Sequence, residues 1–370
     1  MKRLFTLVAL ATLLTALMPS SGNVLAQTGS PDYGASVFVL GNPSTTARDI
    51  ALAKKAGLNW VKIAVPWRSI EPSCKNCIDW EDLDRVVLAV SQAGLKSLAR
   101  VDHQPDWTRT VKAENGPPDD VFDYADFVSV MAKRYRSGSP KGTIQAIQVW
   151  NEPNLAREWG GAPINREQAS QYMYMLKRTY QMVKAEDPTK LIVSAGLSPT
   201  GTNDGTAMPD DVYLGWMYED GLAQFSDAVG VHGAGYGSAP EVAVNSDPRF
   251  PHASFYFRRV EELRNIMVLN GDAGKQVWLL EFGWTTDQVN PQYSWYAVTP
   301  EQQADYIVRA YKYAATTWSP WIGPMFVWNI ADPAWTPEFE QYWWSITNPD
   351  GTTRPAFDAL SAARTSGALP

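Results

Sequence analysis

The 370-residue sequence contains only two cysteines and three histidines, which leaves little material for a metal site built from thiolate and imidazole ligands. Both cysteines lie in one short loop, as Cys74 and Cys77. A structural zinc site usually needs a second cysteine or histidine pair, and no second cysteine pair exists. We therefore predict a disulfide that closes this loop, with half of a metal site as the alternative, and we expect no bound metal.

An excess of basic residues is also absent, since 32 Lys and Arg face 39 Asp and Glu, for a net charge of −7. This balance disfavours a nucleic acid as partner. The sequence has no Gly-x-Ser-x-Gly turn, no His-Glu-x-x-His helix and no Gly-x4-Gly-Lys phosphate loop. The motifs typical of esterases, zinc peptidases and nucleotide-binding enzymes are therefore absent, which disfavours these classes, and we expect no cofactor.

Long apolar runs are missing after the N-terminus, so we expect no membrane span in the mature chain. At the N-terminus, Lys2 and Arg3 precede an apolar run over residues 4–18, and Val24-Leu25-Ala26 follows it. This pattern predicts a signal peptide over residues 1–26, cleaved near Ala26, and a secreted chain over residues 27–370. An uncleaved N-terminal anchor is the alternative.

Aromatic residues are abundant, with 16 Trp and 16 Tyr. Large rings of this kind are buried in cores, and they also form flat surfaces with a polar edge. Such surfaces suit the apolar faces of sugars. Several tryptophans fall in or near predicted loops after strands, namely Trp159, Trp284, Trp295, Trp335, Trp343 and Trp344. They favour an oligo- or polysaccharide as substrate, with loops packed on themselves as the alternative.

Eight short apolar runs alternate with segments of helical spacing, which is the pattern of repeated β/α units. Eight such units in one domain predict a closed (β/α)8 TIM barrel of the α/β class, with an open doubly wound sheet as the alternative. The predicted strands are 37–40, 60–65, 96–101, 144–150, 191–195, 228–232, 277–281 and 325–328. The predicted helices are 45–56, 83–93, 121–135, 167–185, 211–222, 253–269, 301–317 and 356–363.

Two glutamates end predicted strands on opposite sides of such a barrel. Glu152 follows the fourth strand in Trp150-Asn151-Glu152-Pro153, and Glu281 ends the seventh strand before Phe282-Gly283. Side chains at these strand ends converge on one mouth. Glycoside cleavage needs such a pair, either about 5.5 Å apart for retention or roughly 6.5–9.5 Å apart for inversion. The sequence alone leaves the spacing open.

These two motifs resemble the signatures of glycoside hydrolase clan A, whose members are retaining (β/α)8-barrel glycosidases. The segment over residues 60–72 and Pro105-Asp106-Trp107 are most similar to families 39 and 5 within the clan. The resemblance implies that Glu281 is the nucleophile and that Glu152 is the general acid/base. It also implies that Asn151 binds the sugar 2-hydroxyl.

Further residues near strand ends are candidates for sugar contacts. His232 or Tyr236, after the sixth strand, would supply the donor that clan members commonly place beside the nucleophile. Trp328, after the eighth strand, resembles the clan's sugar platform. Core packing is the alternative for His232 and Trp328.

His103, Trp67 and Trp284 also follow strands and complete the predicted substrate-binding set. Clan relatives often carry an Arg within the second strand, where this chain has Lys62. This departure leaves the charge partner of the active site open, and Arg100 is the alternative cation.

Together these features predict a secreted retaining β-glycosidase that works without a cofactor. The predicted action is endo-cleavage of a β-linked oligo- or polysaccharide. One alternative is a non-catalytic carbohydrate-binding barrel. The other is a transglycosylase, because transfer of the sugar to water and transfer to another sugar share the same covalent intermediate.

Overall fold

The computed structural model describes residues 31–370, so the predicted signal peptide over residues 1–26 lies outside the described residues. Eight parallel strands form one sheet in the order β5-β4-β3-β2-β1-β8-β7-β6. Bridges from Val193 to Ala228 and from Leu197 to Val231 join the two end strands of this order. The predicted (β/α)8 barrel is confirmed, and an open sheet is excluded. The strands are β1 Tyr33–Val37, β2 Trp60–Pro66, β3 Lys96–Asp102, β4 Ala146–Val149, β5 Leu191–Ser194, β6 Val229–Ala234, β7 Val277–Gly283 and β8 Ile322–Val327.

The first strand departs most from its prediction, because it ends at Val37 instead of beginning there. Its residues include Gly34 and Ser36, which carry little strand preference. Gly34 is required by packing, since a Cβ at this position would overlap the ring of Phe326 on neighbouring β8. The strand is therefore set by its neighbours in the barrel, which a local pattern does not reveal.

The helices follow the strands as predicted, with differences at their ends. The predicted helix over residues 253–269 begins only at Arg259, and a short 3-10 turn over Ala253–Phe255 precedes it. The helices are α1 Thr46–Lys55, α2 Trp67–Ile70, α3 Glu81–Gln92, α4 Val121–Arg134, α5 Arg166–Glu186, α6 Asp210–Glu219, α7 Arg259–Leu269, α8 Pro291–Ser294, α9 Pro300–Tyr313, α10 Glu340–Trp344 and α11 Pro355–Thr365.

An apolar layer and a polar layer follow each other along the strands. Trp60 on β2 and Leu98 on β3 belong to one buried apolar cluster, in which the rings of Trp60 and Trp278 lie 5.2 Å apart. Side chains two residues apart share a face of a strand, so Lys62 and Arg100 follow Trp60 and Leu98 on the same side. The apolar layer therefore supports a charged layer directly below the mouth of the barrel.

Cys74 and Cys77 are joined by a disulfide in the structure. The loop that it closes lies between α2 and α3. In the part of the chain from residue 31 to 370, no helix is long and apolar enough to cross a membrane.

Candidate active site

Glu152 and Glu281 meet at the mouth of the barrel, together with His232. The Nδ1 atom of His232 lies 2.9 Å from Oε1 of Glu152 and 3.7 Å from Oε2 of Glu281. One carboxylate oxygen of each glutamate and one nitrogen of His232 all lie within 4.8 Å of one another. This close approach agrees with the short carboxyl spacing of a double displacement and not with the wider spacing of an inverting enzyme.

The carboxylate of Glu281 is surrounded by positive charge. Nζ of Lys62 donates to its Oε1 at 2.6 Å, and a guanidinium nitrogen of Arg100 lies 3.6 Å from the same oxygen. Burial alone would raise the pKa of Glu281, but His232, Lys62 and Arg100 outweigh it and lower this pKa to about 2. Glu281 is therefore ionised at any ordinary pH, as a nucleophile requires.

The sequence left open whether Lys62 or Arg100 pairs with the active-site carboxylate, and the structure shows that Lys62 is the closer partner of Glu281. Its Nζ also donates to the carbonyl oxygen of Leu280 at 3.0 Å. Burial lowers the pKa of Lys62 from its ordinary value to about 8, although the charge of Glu281 opposes this shift. Arg100 is held mainly by Asp102, at 2.9 Å, and adds a second and more distant cation.

We expect replacement of Lys62 by Met to move the acid limb of the kcat/KM pH profile upward by roughly one pH unit or more. A carboxylate with a lowered pKa stays active until the pH falls through that pKa. Loss of the cation raises the pKa of Glu281, so activity is lost at a higher pH. The measurement is a kcat/KM profile on an aryl β-glycoside.

The matched control for this experiment is Lys75→Met, because Lys75 pairs with Asp123 and Asp126 on the surface. This variant should keep the wild-type acid limb. An unchanged acid limb in a folded Lys62→Met variant would show that Lys62 does not set the ionisation of Glu281.

Gly196, after β5, gives His232 the space to reach Glu152. A Cβ at Gly196 would overlap the imidazole ring of His232. The backbone of Gly196 also accepts a hydrogen bond from the amide of Glu152 at 3.0 Å. The position of Glu152 therefore depends on the absence of a side chain at Gly196.

We expect Gly196→Ala to displace His232 and to lower kcat/KM by about 10- to 100-fold, since misplacement by about 1 Å has effects of this size. Gly215→Ala is the matched control, because a Cβ at Gly215 on α6 meets nothing within 4 Å. Steady-state kinetics on the two variants, with thermal unfolding as a check of the fold, measure the difference. Equal activity of both variants would remove Gly196 from this role.

The backbone at the mouth is strained at four non-glycine residues. His103, Trp150, Glu152 and Tyr236 have φ values of 54°, 70°, 40° and 47°, in the left-handed region. Such conformations cost of order 1–3 kcal/mol each, and they persist where the surrounding structure fixes them. All four stand at or just beyond the ends of strands, so the strain is concentrated where the site is built.

A groove of about 920 Å³ runs over the two glutamates. Asn151, His103, His232, Tyr236 and Trp328 all line it, so the structure brings these predicted residues together with Glu152 and Glu281. The imidazole of His103 is held by Asp102 at 2.8 Å. The structure places these side chains at the groove, and their individual contacts with a sugar stay predictions.

Two of the predicted sugar-binding residues do not reach the groove, and these predictions are wrong. Trp67 is fully buried beside Phe127, and its Nε1 donates to Glu71 at 2.7 Å. Trp284 is also fully buried, and its Nε1 donates to the carbonyl oxygen of Ser238 at 2.8 Å. Both rings follow a strand, but they turn into the protein, where no sugar can stack on them.

Other residues at the groove were not assigned from the sequence, and most of them come from loops. Phe38 contacts both Trp328 and Trp335, with ring centroids 5.6 and 4.6 Å apart. Among the loop tryptophans, Trp335 and Trp344 do line the groove. Phe38 directly follows β1, and residues at that position face the mouth of the barrel. The predicted first strand, over residues 37–40, placed Phe38 inside the strand, so it was not assigned to the site. The remaining unassigned residues at the groove include Asp102, Glu114, Asn115, Arg157, Glu158, Tyr296, Phe339 and Glu340.

Glu158 and Arg157 extend the charged part of the groove beyond Glu152. Burial first, and the charge of Glu152 second, raise the pKa of Glu158. Arg157 approaches both Glu152 and Glu158 at 3.4 Å and leaves most of its side chain in solvent. These residues lie on the 3-10 turn over Ala156–Glu158, which follows the acid at the end of β4.

The cluster of Glu152, His232 and Glu281 has the ligand types of a divalent-cation site. The charge of Glu281 is, however, already balanced by Lys62 and Arg100. A metal ion would have to approach these two cations closely, and the resulting repulsion disfavours it. The donor set therefore fits acid–base work better than metal binding.

A family profile identifies the family of the chain, and solved structures share its fold. The profile described as Cellulase (glycosyl hydrolase family 5) matches residues 25–323. No protein with a curated description matches the sequence.

Among solved structures, a family 39 glycoside hydrolase from Bacteroides cellulosilyticus WH2 is similar at 18% identity with a TM-score of 0.68. The match covers 91% of this chain and 64% of that chain. This chain therefore spans less than two thirds of the length of that relative.

A glucosidase from Croceicoccus marinus is 15% identical over 91% of this chain and 67% of that chain, with a TM-score of 0.64. GH5_18 from Streptomyces cattleya in complex with GlcNAc is 16% identical over 90% of this chain and 79% of that chain, with a TM-score of 0.61. These likenesses show the barrel fold. The family profile over residues 25–323 shows that the chain belongs to glycosyl hydrolase family 5, a family of retaining clan A glycoside hydrolases that act on β-linked sugars.

Proposed function

We propose that the protein is a secreted endo-glycosidase that cleaves internal β-linkages of a neutral oligo- or polysaccharide. In this proposal Glu281 is the nucleophile and Glu152 is the general acid/base. The observation that carries it is the pair of carboxylates within 4.8 Å, one of them held by Lys62 and Arg100. Two glutamates in such different environments are suited to opposite tasks.

In the first step, a carboxylate oxygen of Glu281 forms a bond to the anomeric carbon while the glycosidic C–O bond breaks. Glu152 gives its proton to the departing oxygen. In the second step, Glu152 takes a proton from water, and the water oxygen bonds to the anomeric carbon. The bond to Glu281 breaks as the bond to water forms, and both glutamates return to their starting states.

The walls of the groove support a substrate of several sugar units. Its volume of about 920 Å³ lies near the upper end of the range for ligand sites in proteins. Aromatic rings are placed along it, where they can stack on sugar faces. The rings are those of Phe38, Tyr236, Tyr296, Trp328, Trp335 and Trp344.

Trp295 would extend this surface beyond the groove. Its side chain is 53% exposed, yet its ring packs on Phe255 and on the groove residue Tyr296 at centroid distances of 5.4 and 4.9 Å. A large ring that is held in place and left in solvent is ready to bind without losing much conformational freedom. This arrangement supports a long chain as substrate, hence endo-action.

Acid polysaccharides fit the groove less well than neutral ones. Glu114, Glu158 and Glu340 line it in addition to the two catalytic candidates, and Arg157 is the main solvent-exposed cation among the lining residues. A uronic acid would meet this negative surface. We therefore place the substrate among neutral β-linked chains.

The test of endo-action compares loss of viscosity with release of reducing ends on hydroxyethylcellulose, glucomannan and xylan. An endo-enzyme lowers the viscosity of at least one polymer early, when few reducing ends have formed. Release of only mono- or disaccharides at constant viscosity would instead show exo-action. Products formed at high acceptor concentration would reveal transfer to a sugar instead of to water.

Secretion is supported by the sequence of residues 1–26 and by the Cys74–Cys77 disulfide, which forms in oxidising compartments. N-terminal analysis of the protein recovered from outside the producing cell tests this proposal. A mature N-terminus at Gln27 is expected. Recovery of the intact chain from the membrane fraction would contradict it and indicate an anchor.

A further inference from the structure

A second cavity, of about 720 Å³, lies apart from the catalytic groove on the outer side of the barrel. It is bounded by the loop that leads into α4 and by the first half of α5. None of the residues that line it also line the groove. The two are nevertheless close, because Trp159 lines the cavity and the preceding residue, Glu158, lines the groove.

Two exposed aromatic rings form one side of this cavity. Phe122 on α4 and Tyr174 on α5 are 40% and 42% exposed, and their centroids lie 6.4 Å apart in an edge-to-face arrangement. The guanidinium carbon of Arg178 lies 5.0 Å from both centroids. This cation–π contact holds the two rings together and covers only part of them.

Exposed polar side chains of α5 lie beside these rings. Glu167, Gln171, Tyr174 and Arg178 follow one another on the same face of α5, at the spacing of successive turns. Within residues 31–370, the side chains of Glu167 and Gln171 and the hydroxyl of Tyr174 make no hydrogen bond or ion pair with the protein. The cavity therefore offers acceptors and donors beside an apolar surface.

Arg109, which lines the cavity, already donates hydrogen bonds to backbone carbonyl oxygens. Nε of Arg109 donates to the carbonyl oxygen of Val111 at 2.9 Å, and its NH1 donates to that of Pro117. The carboxylates of Asp119, Asp120 and Glu167 leave the wall acidic. An anionic ligand would be repelled, whereas a neutral polyhydroxyl chain can use the carboxylates and the amide as partners for its hydroxyls.

From these features we propose that the cavity between Phe122, Tyr174 and Gln171 is a second carbohydrate-binding site, which holds a neutral β-linked polysaccharide outside the catalytic groove. The choice of ligand rests on the proposed function. A chain bound at both places gains effective concentration at the groove. The site therefore contributes to affinity for polymers and has no effect on short substrates.

The experiment is affinity electrophoresis of the full chain in gels that contain hydroxyethylcellulose, glucomannan or xylan. Binding is compared in a Glu281→Gln background, so that the polymer is not degraded during the run. The test variant is Phe122→Ala/Tyr174→Ala, and the control is Leu269→Ala, an exposed apolar residue at the end of α7. Loss of two ring contacts should weaken retardation by roughly 5- to 100-fold in apparent affinity.

A second variant guards against a loss of folding. Glu167→Ala/Gln171→Ala removes polar partners at exposed helix positions, where Ala is well tolerated. It should also weaken binding, by about 3- to 10-fold. With Glu281 intact, kcat/KM of all three variants on an aryl β-glycoside should stay within twofold of wild type.

The outcomes separate this site from the proposed function. Equal retardation of the Glu281→Gln protein and of both test variants would overturn the second site. Absence of any retardation of the Glu281→Gln protein by a polymer that the wild type hydrolyses would also overturn it. Retardation that is lost in both test variants, in a protein that cleaves no polymer, would support the site and contradict the proposed hydrolysis.

Discussion

Replacement of Glu281 by Gln is expected to lower kcat/KM by at least about 10⁴-fold on every β-glycoside that the wild type cleaves. The amide keeps the shape of the side chain but cannot form the bond to the anomeric carbon. The position of the nitrogen of Lys62, 2.6 Å from Oε1, indicates that the whole environment is arranged around a negative charge. Steady-state kinetics on activated aryl β-glycosides measure the loss.

The control for Glu281→Gln is Glu301→Gln, since Glu301 is an exposed residue in the first turn of α9. This variant should keep wild-type activity. A smaller variant, Glu281→Ala, leaves room for azide on the side from which the nucleophile attacks. Azide should then give an α-glycosyl azide from a β-glycoside. Wild-type-like hydrolysis by a folded Glu281→Gln protein would remove Glu281 from the reaction.

Replacement of Glu152 by Ala is expected to have the second largest effect, and its size should depend on the leaving group. General acid catalysis contributes about 10²- to 10⁴-fold, so unactivated oligosaccharides should lose activity by a factor in this range. A dinitrophenyl β-glycoside leaves without a proton, so formation of the intermediate should be nearly unaffected. Its breakdown should then limit turnover, and a burst of dinitrophenol measures this change.

Azide separates the role of Glu152 from that of Glu281. In the Glu152→Ala variant, azide replaces the activated water, should raise turnover of the dinitrophenyl glycoside and should give a β-glycosyl azide. Glu158→Ala serves as a neighbouring control, because Glu158 also lines the groove but accepts its hydrogen bond from Asn115. Equal loss on good and poor leaving groups, without rescue by azide, would contradict the assignment of Glu152 as acid/base.

The positions of the two glutamates could be predicted because strand ends are visible in the sequence. Apolar runs define β4 and β7, and the first charged residues after or within them face the mouth. His103 followed from the same rule, whereas Asn151, His232, Tyr236 and Trp328 were assigned through the resemblance to clan A at these strand ends. In each case the side chain and the strand that carries it are close in sequence, so local pattern was sufficient.

Contacts across the barrel could not be predicted from local pattern. Lys62 on β2 reaches Glu281 on β7 through the interior, and the pairing depends on the register of every strand between them. The orientation of Trp67 and Trp284 failed for a related reason. A residue just after a strand points into the mouth or into the surrounding helices according to its turn geometry, and both rings point into the core.

Trapping of the covalent intermediate is the most direct test of the double displacement on Glu281. The wild-type protein is incubated with 2-deoxy-2-fluoro β-glycosides of the gluco, manno and xylo series, which form the intermediate faster than they release it. We expect mass spectrometry of the intact protein to show addition of one sugar, and peptide mapping to place it on Glu281. A stoichiometric label on any other residue, including Glu152, would contradict this mechanism.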